Sequence, residues 1–449
     1  MRVKELLGFF KIVSHDETII TSISDNSKKG NGNWIYFNLS SFEHHVSYIN
    51  EALERKAYLV LSKYNHPKAI YIPDLDQKIN SFLIFYYSFK KNFKLIGITG
   101  TNGKSSLSNF IKQSLILANY KVKNVTTIKE KNAYFSNLTT PTNFRFFEIL
   151  RKANKEKLDY LIVEISSIGY VLNRVKDIDF DYLLLTNIDK DHLDFHKSVK
   201  EYQKVKIKII DSSSAIKFVD YHVLDNFSFK TKVYPVNYQI NKIGHLNTLK
   251  VAKSKVNTPL LFKTNLVNLS FCYYFLRKIG VKKKETLDVL SKIRPFKGRL
   301  DVVNKDPLII IDYAHSESSF ENVLKECKEL FDKKIILIFG AGGNRDQSKR
   351  KDYALFAKKY ADYVILTNDN PRSESPIEII NQMKIYLTKF EIIYDRKKAI
   401  ERGINLLDSN HLLLILGKGN EDYILMDGYK IFHNDYYEVE KCLMKNILR

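Results

Sequence analysis

The chain has 449 residues, 44% hydrophobic and 27% charged, with 17 Gly and 9 Pro, a balance that excludes collagen-like, low-complexity and wholly disordered chains. No apolar run approaches the roughly 18 residues of a membrane-spanning helix, and the apolar patch between Glu5 and Lys11 is too short and too charged for a secretory signal. The formal net charge is +22, but the basic residues are mostly Lys and are spread along the chain, so a solvated basic surface is favoured over nucleic-acid binding, with a basic cleft for a phosphorylated small substrate as a third reading. Residues 1–92 read as mixed strand and helix, with strands at 34–39 and 57–62 and a helix at 48–55. Near Phe93 a buried-type strand, ending Gly97-Ile-Thr99, runs straight into a Gly-containing loop. Strands at 159–164 and 181–186 then alternate with helices, the pattern of βαβ units around a parallel sheet. The polar and aromatic stretch 212–262 reads as irregular, and an apolar helix follows at 266–279. A break falls at Pro295-Phe-Lys-Gly298. Beyond it strands at 308–311, 335–339, 363–366 and 412–416 alternate with helices such as 318–330 and 349–360. The expected class is α/β, in three domains: 1–92, 93–297 and 298–449. Cys272, Cys327 and Cys442 stand far apart and form neither a disulfide framework nor a metal spacing, which fits a reducing cytosol.

The strongest motif is Gly97-Ile-Thr-Gly100-Thr101-Asn102-Gly103-Lys104-Ser105-Ser106, placed between that strand and a helical pattern at 107–117. Glycines let backbone N–H groups approach phosphate, and a helix N-terminus adds partial positive charge. Lys104 is expected to reach the β- and γ-phosphates, and Ser105 to offer its hydroxyl to Mg²⁺. Ile98 stands where the usual spacing has its first Gly.

This loop resembles the phosphate loop of the Mur ligase family, ATP-dependent amide-forming enzymes of cell-wall synthesis. Seven more segments match in order: Thr139-Thr140-Pro141, Glu164-Ile-Ser166-Ser167, Thr186 to His196, Gly298-Arg299-Leu-Asp301, Asp312-Tyr-Ala-His315, Gly340 to Asp346, and Asp369-Asn370-Pro371-Arg372. With Gly417-Lys-Gly-Asn-Glu421 they resemble the branch that adds a diamino acid to UDP-N-acetylmuramoyl-L-alanyl-D-glutamate. The resemblance runs from about residue 20 to 425. It implies a three-domain architecture: an N-terminal UDP-binding domain, a central P-loop domain with a parallel sheet and a C-terminal Rossmann-like domain that binds the amino acid.

By the same resemblance the ATP contacts are Gly100 to Ser106, Asn265, Asn268, Arg299, Asp312 and His315. Glu164, His192 and a carbamylated Lys206 join Ser105 as ligands of Mg²⁺, and Lys104, Lys206, His192 and Glu164 carry the catalysis. Read by residue type alone, His192 and His196 are also a pair on one turn, Asn265 a helix cap, Lys206 a plain cation and Asp312 a turn residue. The sugar-peptide contacts implied are Asn26, Thr139, Thr140, Ser166 and Arg174. The diamino acid would meet Arg345, Asp369, Asn370, Pro371, Arg372, Gly417 and Glu421, where Arg forks suit carboxylates and Glu421 a distal ammonium.

The sequence departs from the family at Asn344, where Asp is usual, at Asn420 and Ile168, where His is usual, and at Leu172, where Gln is usual. Ser24-Asp25-Asn26-Ser27 replaces an Asp-Ser-Arg-like turn. The expected activity is ATP-dependent addition of a diamino acid, meso-diaminopimelate, through an acyl phosphate. The alternatives are L-lysine or another diamino acid, a folylpolyglutamate or cyanophycin-type ligase, and, in another class, a P-loop nucleic-acid-binding protein. A cytoplasmic monomer without nucleic acid or membrane insertion is expected.

Overall fold

Runs of β-branched, aliphatic and aromatic residues set the main strands in the computed structural model, which describes residues 1–127, 132–193, 195–243 and 246–447. The chain forms two compact units. One comprises Met1–Gly97, Lys121–Leu183 and Ser212–Ala215; the other comprises Ile98–Tyr120, Leu184–Asp211 and Ile216–Arg449.

The first unit opens with a parallel sheet of Ser22–Ser24, Trp34–Asn38, Leu59–Ser62 and Ile70–Tyr71, in that order. Trp34–Asn38 is buried along its whole length, and Trp34 and Tyr36 pack on Ile49, Ala52 and Val60. The helix His45–Glu54 starts three residues before its expected position. After the helix Leu75–Tyr86 the chain enters the strand Lys94–Thr99. Lys94 N donates to Asp159 O (2.8 Å) and Asp181 N donates to Leu95 O (2.9 Å). Tyr160–Glu164 pairs in parallel with Val122–Thr126, which pairs in parallel with Ala133–Phe135.

The second unit takes the end of Lys94–Thr99, the loop after it and the helix Lys104–Leu117. Helix Lys263–Lys278 packs along Lys104–Leu117. The stretch expected to be irregular is instead largely ordered. Ile216–Asp220 pairs in parallel with Tyr234–Val236, and Gln239–Ile243, Leu246–Val251 and Ser254–Val256 form an antiparallel sheet. These strands are short; Ile216–Asp220 is buried on both faces, whereas the antiparallel sheet buries the face with Leu249, Val251 and Val256. The polar outer positions of the antiparallel sheet hide its alternation from a reading by composition.

The C-terminal sheet has the order Asp301–Lys305, Leu308–Asp312, His411–Leu416, Lys334–Phe339, Tyr363–Leu366, Phe390–Ile392. Its first pair is antiparallel and the rest are parallel. Ile309, Ile311, Ile336, Ile338, Leu413 and Ile415 fill one face, while Ile310, Leu337, Leu412 and Leu414 fill the other. Continuous apolar strands are what a sheet covered on both faces needs. At about 1.5–3 kcal/mol for each fully buried aliphatic side chain, this layer dominates the unit's cohesion. The chain steps outward from Lys334–Phe339, then returns to insert His411–Leu416 beside Leu308–Asp312. That reversal opens a crevice at the carboxyl edge of the strands, where ligands bind in folds of this kind.

Candidate active site

The phosphate loop is pinned by the segment after Leu185. Thr101 N donates to Asn187 O (3.0 Å), Asn102 N to Asn187 Oδ1 (2.9 Å) and Thr186 Oγ1 to Asn102 O (2.7 Å). A Cβ on Gly100, at φ +148°, would lie 1.9 Å from Thr186 Oγ1, so only glycine permits this close approach. Lys104 Nζ donates to Gly100 O (2.8 Å) and Thr101 O (2.9 Å), which curls the loop around the ammonium. Ser105 and Ser106 form the first turn of the helix. Asn102 reaches the far side of the crevice: its Nδ2 donates to Ser318 Oγ (2.8 Å), and Ser316 Oγ donates to its Oδ1 (3.2 Å). Ser316 caps the helix Glu317–Leu330.

Helical spacing selects one lysine of the four on Val199–Asp211, Lys200 being exposed. Lys206 is buried with Tyr202, Ile209 and Ile210, while Lys204 and Lys208 face solvent. Lys206 Nζ donates to Thr99 Oγ1 (3.1 Å) and Gly100 O (3.0 Å). Burial, and then the Lys104 charge, hold its pKa well below the ordinary lysine value. His192 adopts φ +52° and its Nε2 lies 3.5 Å from Asp191 Oδ2. His196 N donates to His192 O (2.9 Å), so the two histidines do share one turn; Asp194, within the same motif, lies outside the described residues. Burial opposes ionisation of Asp191, but His192 and Lys349 bring its pKa down overall. Lys349 Nζ lies 3.3 Å from Asp191 Oδ1. Among the described residues no three His, Cys, Asp or Glu side chains form a ready-made metal cage. Mg²⁺ does not require one, since it combines one or two protein ligands with phosphate oxygens and water.

Beside the loop, Asn265 and Asn268 are buried on Lys263–Lys278, and the Nδ2 of each lacks a hydrogen-bond partner among the described residues. Asn265 is not a cap; Phe262 holds that position. Two orphaned amide donors in the interior are costly unless a ligand completes them, and adenine offers acceptors. Asn268 Oδ1 would be 3.4 Å from a Cβ on Gly103, which puts it beside the phosphate loop. Arg299 stacks on Tyr313 (4.3 Å to the ring centre), and its Nε has no partner among the described residues. Asp312 is committed to backbone: its carboxylate accepts from Leu300 N and Ala314 N, both at 2.6 Å. Water reaches the His315 ring, yet protein crowds it. That crowding, followed by Arg299, pushes its pKa down to about 3 and leaves the ring neutral at pH 7.

Within the first unit Thr140, Ser166, Arg174 and Glu164 come together. Thr140 Oγ1 donates to Glu164 O (2.9 Å) and accepts from Ser166 N (2.8 Å), and Arg174 Nη1 donates to Thr140 O (3.0 Å). Ser166 also caps Ser167–Val171. Glu164 is buried at the end of its strand, and Thr139 is half-buried. Asn26 is exposed and forms a local turn, its Oδ1 accepting from Lys28 N (2.9 Å). Its neighbour Asp25 instead meets Thr142, in the segment just after Thr140, and burial raises the Asp25 pKa. Asn80 escaped the sequence reading. Its Nδ2 donates to Asn173 O (3.3 Å), Arg174 O (3.2 Å) and Lys176 O (2.7 Å), and its Oδ1 accepts from Asn143 Nδ2 (2.9 Å). A helical Asn carries no local signal of such a role.

At the carboxyl edge of the C-terminal sheet a buried lysine, Lys418, gathers the residues expected to meet the diamino acid. Its Nζ contacts Asn370 Oδ1 (3.0 Å), Glu421 Oε2 (2.9 Å) and Asp369 Oδ1 (3.5 Å). Asn370 Nδ2 donates to Glu421 Oε2 (3.0 Å) and Tyr313 OH to Glu421 Oε1 (3.3 Å). In the sequence Lys418 stands only as a member of the Gly417-to-Glu421 segment, with no role of its own. Arg372 Nη1 donates to Gly343 O (2.6 Å) and would lie 3.0 Å from a Cβ on Gly342, with Arg345 Cγ at 3.8 Å from the same point. Arg345 is exposed. A Cβ on Gly343 would be 1.9 Å from Pro371 O, so glycine is needed where these two loops touch. Asn344, the departure from Asp, accepts from Ser373 N (3.2 Å) and Ser373 Oγ (2.9 Å) at φ +50°, a conformation that Asn tolerates well. Gly417 N donates to Asp312 O (3.1 Å).

A loop gripping a lysine between strand and helix, two buried amides with orphaned donors beside it, and a polar crevice over a mostly parallel sheet are the features of a nucleotide-using α/β protein. Family models place it more closely. The Mur ligase middle domain matches residues 98–272 and the Mur ligase glutamate ligase domain matches residues 298–419. A protein of Fusobacterium nucleatum named UDP-N-acetylmuramoyl-L-alanyl-D-glutamate–2,6-diaminopimelate ligase is 31% identical, over 93% of this chain and 93% of its own. A relative of the same name from Caldanaerobacter subterraneus is 31% identical over 99% of each chain. A solved structure titled with that name covers 100% of both chains at a TM-score of 0.66 and 23% identity, a likeness of fold. The chain belongs to the Mur ligase family, ATP-dependent ligases that form amide bonds.

Proposed function

We propose that this chain adds meso-diaminopimelate to the D-Glu carboxyl of UDP-N-acetylmuramoyl-L-alanyl-D-glutamate, with hydrolysis of ATP to ADP, in peptidoglycan precursor synthesis. The observation that carries the amino-acid assignment is the placing of Arg372, tied across to the loop of Gly343, with the Asn370–Lys418–Glu421 cluster at one sheet edge. Relatives at 31% identity bear the name of this reaction.

The D-Glu carboxylate takes the γ-phosphoryl group of ATP to give an acyl phosphate. The amine of the diamino acid then attacks the acyl carbon, and phosphate leaves. Lys104, already directed into the loop, balances charge on the transferring phosphoryl group. Asn265 and Asn268 supply donors for the base, and neutral His315 leaves a ring nitrogen able to accept a hydrogen bond. Thr140, Ser166 and Arg174 face the sugar-peptide. Ser105, Glu164, His192 and Lys206 as its carbamate would hold Mg²⁺, which would supply charge neutralisation at the phosphates. Support for the carbamate comes from the depressed pKa of Lys206: a neutral amine is the form that attacks CO₂. The reading carries with it a cytoplasmic monomer with no nucleic-acid partner. Among the described residues, no helix is long and apolar enough to cross a membrane.

The test is ADP release with the UDP-MurNAc dipeptide and, in turn, meso-diaminopimelate, lanthionine, L-lysine, D-lysine and L-ornithine. Release dependent on both the dipeptide and a diamino diacid is expected. Release with L-lysine at equal kcat/KM removes the diacid assignment, and release with a folate or with no sugar-peptide removes the reading as a whole.

A further inference from the structure

Beneath the amino-acid end lies a second charged layer that no motif marks. Arg396 begins the helix Arg396–Asn405 and is completely buried. Its guanidinium grips Asp435 twice, Nε to Oδ1 at 2.8 Å and Nη2 to Oδ2 at 2.8 Å. Asp435 is the first residue of the last helix, Asp435–Ile447, and its Oδ1 also meets His433 Nε2 at 2.7 Å. The remaining donors of Arg396 turn toward the sheet edge. Nη2 reaches Leu416 O (3.0 Å) and Nη1 reaches Asn368 O (3.4 Å).

Those two carbonyls immediately precede the two loops of the amino-acid end. Leu416 leads into Gly417-Lys418-Gly-Asn-Glu421, and Asn368 leads into Asp369-Asn370-Pro371-Arg372. The strands that lead to them, His411–Leu416 and Tyr363–Leu366, are not neighbours; Lys334–Phe339 lies between. At their outer ends the loops are joined by Lys418 Nζ to Asn370 Oδ1 (3.0 Å) and by a backbone bridge in which Arg372 N donates to Leu425 O (2.9 Å); at their roots, where the sheet provides no pairing, Arg396 joins them. A planar guanidinium with five donors in a rigid fork can bridge both carbonyls while a carboxylate fixes its orientation.

We propose that Arg396, oriented by Asp435 and His433, is a positioning residue for the added amino acid. It sets the spacing between the loop of Asn370 and Arg372 and the loop of Lys418 and Glu421, and through Asp435 it makes the last helix part of that specificity. This rests on the ligase reading above, and the argument concerns geometry, since Arg396 touches no substrate.

The test separates positioning from folding. Replacing a buried ion pair with apolar groups of similar volume is often neutral or stabilising, whereas removing one partner strands the other's charge. The variant combining Arg396→Met, His433→Phe and Asp435→Leu is expected to melt cooperatively near the unmutated protein. Its KM for ATP should change less than about twofold and its KM for the diamino acid should rise roughly tenfold or more, the scale of losing charge-assisted hydrogen bonds. Arg396→Lys keeps the pair with Asp435 but cannot bridge both carbonyls, and it should show the same split. Hydrogen exchange at 369–372 and 417–421 should accelerate in both variants. An unchanged KM for the diamino acid in either folded variant overturns the proposal, as does a parallel rise in every KM. If the unmutated protein releases no ADP with any diamino acid, the ligase reading fails alone; unaltered exchange in the two loops would then overturn the positioning role by itself.

Discussion

Lys206 Nζ donates to the Gly100 carbonyl at 3.0 Å, so an amine that burial drives toward neutrality is held against the phosphate loop itself. The position is unfavourable for a charge and useful for chemistry. In the unfolded chain the amine titrates near its ordinary 10.5, and in the folded chain well below it. Between those two values the unfolded state binds the extra proton, so the Lys206 contribution to stability rises with pH and levels off above 10.5. Lys206→Met should therefore melt higher than the unmutated protein in CO₂-free buffer, with the gap closing as pH rises toward that value. Its ADP release should fall roughly 10²- to 10³-fold, the scale for removing one group that stabilises charge in the transition state. Added acetate should restore part of the activity of Lys206→Ala if the missing group is an anion, and small amines should restore it if the group is a cation. Thermal melts across pH and a rescue series check both points.

Lys104 is held by two carbonyl oxygens of its own loop, Gly100 and Thr101. A phosphate must draw the ammonium away from them, so the nucleotide and the loop compete for one cation. Lys104→Ala should fold, since the side chain fills no core position, yet lose ADP release. It should also lose most of the rise in melting temperature that ATP gives the unmutated protein, because a ligand stabilises only through its affinity for the folded state. Calorimetry with and without ATP measures this. Near-normal turnover would remove the phosphate-loop assignment.

Asn80 holds three carbonyls of the turn that carries Arg174. Asn80→Ala should leave those acceptors short of donors and cost about 1–3 kcal/mol of stability. By loosening Arg174 it should raise KM for the UDP-MurNAc dipeptide several-fold while KM for ATP stays constant. A matching rise in both constants would mean that Asn80 serves the fold and not the site.

The contrast between Lys104 and Asn80 explains what could be read in advance. Lys104 sits in a dense local pattern, a strand, two glycines, a lysine and a helix, so sequence spacing alone specifies its surroundings. The alternating strands and helices after residue 93 were legible for the same reason, since period and punctuation are local. Asn80, Arg396 and Lys418 act across 93, 39 and 48 residues, on Asn173, Asp435 and Asn370, and nothing in their own neighbourhoods announces those partners. The strands within 216–256 escaped for a different reason. Each is three to six residues long, too short for alternation to stand out among polar neighbours.

The preference among diamino acids follows from a charge count at the C-terminal edge. Arg345, Arg372 and Lys418 supply three positive charges, and Asp369 and Glu421 two negative ones, leaving a net of +1. Lys418 already neutralises Glu421 at 2.9 Å, so an incoming ammonium must share that carboxylate. Arg345 is exposed and Arg372 spends one nitrogen on Gly343 O, which leaves guanidinium donors for carboxylates. Meso-diaminopimelate brings two carboxylates and L-lysine one. Losing a charge-assisted hydrogen bond costs about 1.5–3 kcal/mol, so the diacid should be favoured roughly 10- to 150-fold in kcat/KM. Arg372→Ala should erase most of that ratio by lowering the diaminopimelate value more than the lysine value. Because Arg372 also ties its loop to Gly343, Arg372→Lys is the stricter variant: it keeps the charge, gives up the fork, and should retain only part of the preference. Equal kcat/KM for the two amino acids in the unmutated enzyme would mean that both arginines serve the α-carboxylate they have in common.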